Sequence, residues 1–121
     1  MSTKPDSNSK RIVEIRTYNL KENSRENFHR LFADKAMPLL KKWDIHVVGF
    51  GPSLHDKSTY TLIREYQSIE QMQKSEDAFY ASDEWRKGPR ESVLALIENY
   101  TTLVLNADQE LINQLHKSLE N

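Results

Sequence analysis

The sequence of 121 residues predicts one α+β domain with the ferredoxin-like, split βαβ order of elements and an added C-terminal helix. Segments with alternating or β-branched residues, which are typical of strands, are interleaved with segments whose apolar residues recur at helical spacing. Their order is strand, helix, strand, strand, helix, strand. Leu, Ile, Val and Phe number 29, which exceeds the roughly 20% of a chain below which disorder is expected.

Composition excludes several kinds of partner. Lys and Arg number 17 and Asp and Glu number 18, so there is no positive surplus to attract a phosphate backbone, and we expect no nucleic-acid binding. Cysteine is absent from the sequence, which excludes disulfides and is typical of a reducing compartment. Because no apolar run approaches the ~20 residues that span a bilayer, we expect a cytoplasmic protein with no membrane span.

The first ten residues differ from the rest of the chain. They are rich in Ser, Lys, Asp and Asn and carry no large apolar residue after Met1, so nothing offsets the entropy of ordering them. They also lack the apolar core of a secretory signal. We therefore expect a disordered tail over residues 1–10 and a single folded domain over residues 11–121.

The first strand is predicted over residues 11–20, RIVEIRTYNL, and its two faces differ in character. Val13, Ile15 and Thr17 share one face, which we expect the helices to cover. Glu14, Arg16 and Tyr18 share the other face. From the residues alone, that second face is either a solvated surface or the wall of a polar cavity.

A long first helix is predicted after Asn23 or Ser24, either of which can cap it. Its apolar stripe runs from Phe28 to Trp43 at helical spacing. Pro38 lies inside this stripe, where a missing N–H and a ring clash normally cost ~3 kcal/mol. The helix should therefore bend or break near residues 34–37.

Two strands and a second helix follow. Residues 44–51, DIHVVGFG, are β-branched and aromatic and end at Gly51-Pro52, and residues 58–66, STYTLIREY, alternate as a strand does. Residues 54–58 between them are predicted to be a loop. Ser68 with Gln71 forms a capping-box pattern that opens a helix extending to Ala81.

The C-terminal third continues the same pattern. Ser82 is predicted to cap a short helical turn, and Pro89 suits the first position of a further helical segment. Residues 97–105, IENYTTLVL, predict the fourth strand. Asp108 can cap a last helix, which is amphipathic and has few basic residues on its polar face. We expect that helix to dock on its own domain rather than on a membrane.

Short motifs spread in order from Ile12 to Leu105 together resemble the NIPSNAP family. They are EIRTYNL, MPLLKKWDIHVVGF, LIREY, the SDEW turn and IENYTTL. The resemblance implies a dimeric α+β barrel, in which two ferredoxin-like sheets pair across their open faces and enclose a cavity in or near each protomer. The chain departs from the family pattern at Leu62 and Arg64, where relatives often carry His and Trp. The family has no settled chemistry, and its wider superfamily includes cofactor-free monooxygenases and haem-degrading enzymes.

An uncovered sheet face with many aromatic rings would be an apolar patch large enough to need a partner, and a second copy is the simplest one. We therefore expect a homodimer. The ligand-binding candidates on this face are the charged and aromatic residues of three strands: Glu14, Arg16, Tyr18, Tyr60, Arg64, Tyr66 and Tyr100.

These side chains can grip a ligand or simply pack. Glu14 and Arg16 can pair with each other at an interface or hold an anionic substrate. The tyrosines can orient a flat ligand, although such rings are also ordinary interface residues. Two guanidinium groups beside one carboxylate leave a positive surplus, so the expected ligand is a small anionic or polar organic molecule.

Known catalytic motifs are missing from the sequence. The four histidines show no metal-binding spacing, with His29 and His46 expected at the surface, and no GxSxG, GxGxxG or phosphate loop occurs. We expect neither metal nor other cofactor. One hypothesis is a protein that binds or transforms a small molecule, by a cofactor-independent monooxygenase-like or isomerase-like reaction if it is catalytic. The alternative is a non-catalytic protein–protein interaction module.

Overall fold

Four antiparallel strands form one sheet in the order β2-β3-β1-β4 in the structure, a computed structural model that describes residues 10–119. The strands are β1 (Arg11–Leu20), β2 (His46–Pro52), β3 (Thr59–Tyr66) and β4 (Ile97–Ala107). The four predicted strands are confirmed to within two residues at each end, and with them the ferredoxin-like order. The tail expected over residues 1–10 lies, apart from Lys10, outside the described residues.

Six α-helical segments accompany the sheet: α1 (Arg25–Leu31), α2 (Met37–Lys42), α3 (Ile69–Ala81), α4 (Asp83–Arg86), α5 (Arg90–Leu94) and α6 (Gln109–Ser118). The predicted caps of α3, α4 and α6 are confirmed, because the side chains of Ser68, Ser82 and Asp108 each accept a backbone N–H of the first turn. Ser24 stands at the N-cap of α1, but within the described chain its side chain makes no capping hydrogen bond.

The first helix departs from α-helical geometry where Pro38 requires it. Residues 32–36 form a π-helical turn, in which the N–H of Met37 donates to the carbonyl of Phe32 five residues earlier. Pro38 has no N–H to offer, and its ring would clash with the carbonyl of Asp34 in a regular helix. The wider turn removes this conflict, so the predicted irregularity is confirmed as a widened turn. Phe32 and Ala36 in this turn are buried.

The turn from α2 into β2 explains why that strand starts two residues later than predicted. Asp44 adopts a left-handed backbone conformation with φ of 62°, which Asp tolerates better than most residues. This residue ends the helix and reverses the chain. The strand then begins at His46.

The expected assignment of sheet faces was wrong. The helices α1 to α5 cover the face of Glu14, Arg16 and Tyr18, and the main core cluster lies between them and that face. Charged groups on this face are buried because each one meets a partner of opposite charge beneath the helices. The aromatic rings of the same strands need apolar cover, which the Phe-rich stripes of the helices provide.

The opposite face of the sheet, carrying Val13, Ile15 and Thr17 on β1, is called here the outer face. The helix α6 covers one part of it, and a second core cluster there joins the strands to this helix through Val13, Val48, Ile63, Ala107 and Ile112. His116 Nδ1 lies 2.9 Å from the carbonyl oxygen of Val48. The expected docking of the last helix on its own domain is confirmed. Among residues 10–119, no helix is long and apolar enough to span a bilayer.

Replacing Gly49 by Ala should destabilise the fold by about 1–3 kcal/mol, because the new Cβ would lie 2.6 Å from the Cβ of Leu119 and the end of α6 would have to move. The matched control is Gly51→Ala, whose Cβ would lie 3.9 Å from the nearest atom of Leu119. The control should change the free energy of unfolding by less than ~1 kcal/mol. Urea unfolding compares the two variants, and equal stabilities would show that α6 does not rest on Gly49.

Candidate functional site

A cavity of about 450 Å³ lies between the helix-covered face of the sheet and the helices. We call it the inner cavity. Its apolar wall comes mainly from helices α1 to α4 and from β3: Phe28, Phe32, Leu40, Leu62, Phe79 and Trp85. Its polar wall is formed by Arg16, Arg64 and Glu76, with Asp77 and Arg90 as further charged residues. The volume falls in the range of about 300–1,000 Å³ typical of small-molecule sites.

Two guanidinium groups and two carboxylates meet at the floor of this cavity, and we call them the charge cluster. Glu14 lies directly opposite Arg64 in the β1–β3 register, and Arg64 Nε donates to Glu14 Oε1 at 2.8 Å. Arg16 Nη2 donates to Glu14 Oε2 at 3.1 Å. Glu76 on α3 completes the cluster, with its oxygens 3.1 Å from Arg64 Nη2 and 3.8 Å from Arg16 Nη2. Each guanidinium therefore lies between two carboxylates.

Two tyrosine hydroxyls extend the cluster. Tyr66 Oη donates to Glu76 Oε2 at 2.7 Å, and Tyr80 Oη accepts from Arg64 Nη1 at 3.0 Å. Burial raises the pKa of the Tyr66 hydroxyl well above its ordinary value, so this group remains a donor at neutral pH. The cluster thus combines two cations, two carboxyl groups and two neutral hydroxyls.

The two carboxyl groups have opposite pKa shifts. Burial raises the pKa of Glu76 to about 7, and its hydrogen bond with Glu14 adds to this rise. Burial acts in the same direction on Glu14, but the hydrogen bond from Glu76 and the charges of Arg64 and Arg16 outweigh it and hold the pKa of Glu14 below its ordinary value. Close carboxyl groups that share one proton behave in this way. Near neutral pH, Glu14 is therefore ionised and Glu76 exchanges a proton with solvent.

Two guanidinium nitrogens in the charge cluster are buried without a hydrogen-bond acceptor among residues 10–119: Arg16 Nε and Arg64 Nη2. Arg64 Nη2 lies 2.6 Å from Glu14 Oε1, but the geometry is that of an ion pair without an aligned N–H. Buried donors are nearly always satisfied in folded proteins, by protein groups or by water. Arg64 Nη2 is nevertheless neutralised by Glu14 and by Glu76, whose Oε2 lies 3.1 Å away, whereas Arg16 Nε has no hydrogen-bond acceptor among the described residues.

The sequence-predicted candidates fall into three groups. Arg16, Tyr18, Arg64 and Tyr100 line the inner cavity, with the guanidinium of Arg16 stacked 4.8 Å from the centre of the Tyr100 ring. Glu14 and Tyr66 lie behind that lining and hold its charged groups. Tyr60 lies apart from both groups. Its hydroxyl is 2.5 Å from His29 Nδ1, and both residues border a separate open groove.

Two histidines, His29 and His46, differ in their exposure and their partners. His29 is partly exposed at the open groove, and its Nδ1 lies 2.5 Å from the hydroxyl of Tyr60 near the start of β3. His46 is exposed as expected and lies 2.5 Å from Glu65 Oε1. Within residues 10–119, no group of three or more His, Asp or Glu side chains is placed to hold a metal ion.

Sequence reasoning missed Glu76 and Tyr80. The expected surplus of two cations over one carboxylate was therefore wrong, because Glu76 balances the second cation. A signal was present in the spacing, since Met72, Glu76 and Phe79 fall at helical intervals on the buried side of α3. A lone carboxylate within an apolar stripe indicates a buried partner of opposite charge.

The fold and this cavity define a class of ferredoxin-like α+β domain with a polar pocket between sheet and helices. The NIPSNAP family model matches residues 13–107, so the chain belongs to the NIPSNAP family, as its motifs suggested.

Solved structures agree on the fold. An uncharacterised NIPSNAP domain protein from Burkholderia xenovorans matches with a TM-score of 0.70 at 14% identity, covering 78% of this chain and 91% of that one. A NIPSNAP family protein of unknown function from Agrobacterium tumefaciens matches with a TM-score of 0.74 at 19% identity, covering 82% and 89%. A putative antibiotic biosynthesis monooxygenase from Nitrosomonas europaea matches with a TM-score of 0.63 at 14% identity, covering 80% and 89%. No curated protein sequence matches the chain significantly.

The pKa of Glu76 rises from an ordinary 4.5 to about 7 in the folded protein, so between these values the folded state binds more protons than the unfolded chain. The contribution of Glu76 to stability therefore falls as pH increases through this interval, by on the order of 3 kcal/mol in total. Glu76→Gln removes the titrating group and should flatten that slope. Urea unfolding at several pH values from about 5 to 7 measures it.

The matched control for this prediction is Glu70→Gln, which changes an exposed carboxylate in the first turn of the same helix. This variant should keep the wild-type slope. An unchanged slope in Glu76→Gln would contradict the assignment of the proton to Glu76.

Proposed function

We propose that the protein binds a small organic anion in the inner cavity, with one carboxylate against the charge cluster and a flat apolar body against the aromatic wall. The observation that supports this function is that two arginine side chains, Arg16 and Arg64, line the same cavity as the aromatic wall, and that Arg16 Nε has no hydrogen-bond acceptor among the described residues. An unsatisfied buried donor costs about 1–3 kcal/mol. A carboxylate is the acceptor whose two oxygens best match the fork of a guanidinium.

The shape of the wall supports an aromatic body for this ligand. Phe28, Phe32, Phe79 and Trp85 border the same space as the two arginines. A ring in that space would gain from apolar burial and from aromatic contacts, while the carboxylate faces the cations. Aromatic monocarboxylates such as 2-naphthoate are therefore suitable probes.

The two arginines should contribute differently to this binding. The side chain of Arg64 is 1% exposed and makes the closest contacts with Glu14. That of Arg16 is 13% exposed, and Glu14 keeps Arg64 as a partner when Arg16 is absent. Arg64 therefore holds the cluster together, and Arg16 is the cation that ligand contact uses most directly.

Arg16→Met should leave the protein folded while weakening 2-naphthoate binding by roughly 10- to 100-fold, since a hydrogen bond to a charged group contributes about 1.5–3 kcal/mol. Isothermal titration calorimetry measures the dissociation constant, and circular dichroism checks the fold. The control Arg86→Met removes an exposed cation of α4 outside the cavity and should leave binding unchanged. Undiminished binding in a folded Arg16→Met variant would remove Arg16 from the site.

We also infer a homodimer, on a different surface from the one expected. On the outer face, Leu103 and Leu105 of β4 are 54% and 42% exposed, next to Ile15 in the adjacent strand. Thr17, Thr61 and Thr101 continue this surface without charge. This uncharged and partly apolar part of the outer face suits a second copy related by a two-fold axis. The same exposed apolar surface also supports the alternative function, a non-catalytic module that binds another protein.

Leu103→Glu should convert the dimer to a monomer, because burying an unpaired carboxylate at the interface costs several kcal/mol and weakens association by about 100-fold or more. Sedimentation velocity at micromolar concentration measures the mass. The control Leu54→Glu adds the same charge at a fully exposed loop residue and should stay dimeric. A wild-type protein that sediments as a monomer would refute the dimer.

A further inference from the structure

The nitrogens that a ligand carboxylate needs are partly occupied by Glu76. Its oxygens lie 3.1 Å from Arg64 Nη2 and 3.8 Å from Arg16 Nη2. Glu14 is held more tightly, with contacts of 2.6 Å and 2.8 Å to Arg64 from the paired strand. A carboxylate that enters the inner cavity therefore competes with Glu76 rather than with Glu14.

The charged and polar groups that face Glu76 determine whether a ligand carboxylate can displace it. Strand β1 contributes the charged groups of Glu14 and Arg16, and β3 contributes the guanidinium of Arg64 and the neutral hydroxyl of Tyr66. Tyr80 lies one turn further along α3, and Asp77 and Arg90 are the other charged residues of the described lining. Tyr18 and Tyr100 add neutral hydroxyls.

The charge balance of the cluster opposes the entry of a third carboxylate. With both Glu14 and Glu76 ionised, the two guanidinium groups are already balanced, so an added carboxylate gives the buried cluster an uncompensated negative charge. Such a charge is expensive in a desolvated site. Neutralising one carboxyl group restores the balance, and Glu76 is the one with weaker ion pairs and a neighbouring carboxylate to accept its hydrogen bond.

We propose that Glu76 is a displaceable counter-ion: the ligand carboxylate replaces it against Arg16 and Arg64, and Glu76, where it is ionised beforehand, takes up one proton from solvent for each ligand bound. This inference rests on the proposed function and adds to it a coupling between ligand binding and proton uptake. Protonated Glu76 keeps its proton and donates a hydrogen bond to the ionised Glu14, while its other oxygen accepts one from Tyr66, so both oxygens of its carboxyl group have a partner.

Proton uptake gives binding a defined pH dependence. The pKa of Glu76 is about 7 in the free protein, and a bound anion raises it further. Affinity for a monocarboxylate should therefore be nearly constant at about pH 6 and below, where Glu76 is already neutral. Above about pH 7 it should fall by about tenfold per pH unit.

Titration calorimetry with 2-naphthoate tests this in phosphate and in Tris, whose ionisation enthalpies differ, at about pH 6 and pH 8. Wild-type protein should bind about tenfold more weakly at the higher pH and take up close to one proton per ligand there, against almost none at the lower pH. Glu76→Gln should bind equally well at both pH values without proton uptake. The wild-type measurement alone decides the question if that variant does not fold.

Glu70→Gln serves as the matched control and should keep the wild-type pH dependence and proton uptake. Wild-type binding that is equally strong at both pH values, with no proton uptake, would overturn the role of Glu76 and leave the proposed function standing. Proton uptake that persists in Glu76→Gln would assign the proton to another group and would equally overturn it. Absence of 2-naphthoate binding at both pH values, in wild type and Glu76→Gln alike, would overturn the proposed function and this inference together.

Discussion

The charge cluster beneath the helices is the interaction on which most of the structure depends. Glu14 and Arg64 face each other across β1 and β3, and each side chain is 1% exposed. A slip of one residue between these strands would turn one charge to the outer face and leave the other buried alone. Breaking such a pair costs about 3–5 kcal/mol, whereas the intact pair adds little net stability. The cluster therefore fixes the register of β1 and β3 and, through Glu76, the position of α3 on the sheet.

The same cluster explains why the site is a cavity rather than a filled core. Guanidinium groups are planar and donate in fixed directions, so apolar side chains cannot pack closely around every N–H. The widened turn at residues 32–36 carries Phe32 and Ala36 into the wall of the space above the cluster. Departures from α-helical geometry of this kind are common at functional sites. Here Pro38 enforces the departure through its missing N–H.

The fold was predictable from local signals in the sequence, but the face of the sheet that the helices cover was not. Alternation in RIVEIRTYNL and STYTLIREY, the capping residues Ser68 and Asp108, and Pro38 each act within a few residues, so their effects can be read from the chain. Which face of β1 is buried depends on charges from three separate elements meeting at one point. Glu14 and Arg16 resemble a solvated face until Arg64 and Glu76 are placed beside them. The only local signal of this buried charge cluster was Glu76 itself, which lies at helical spacing between the apolar Met72 and Phe79.

The inner cavity and the outer face lie on opposite sides of a single layer of sheet, and β4 contributes to both. Tyr100 lies on the cavity side, stacked against Arg16, whereas Leu103 three residues later lies on the outer face. The residues that line the cavity, Arg16 and Tyr100 among them, lie on the helix-covered side of the sheet, so a second copy on the outer face would sit on the opposite side from them. Covering the outer face would remove the exposed Leu103 and Leu105 from water, and exposed apolar patches of this kind are typical of interaction surfaces. The proposed ligand site and the proposed dimer contact therefore use different surfaces, and neither proposal depends on the other.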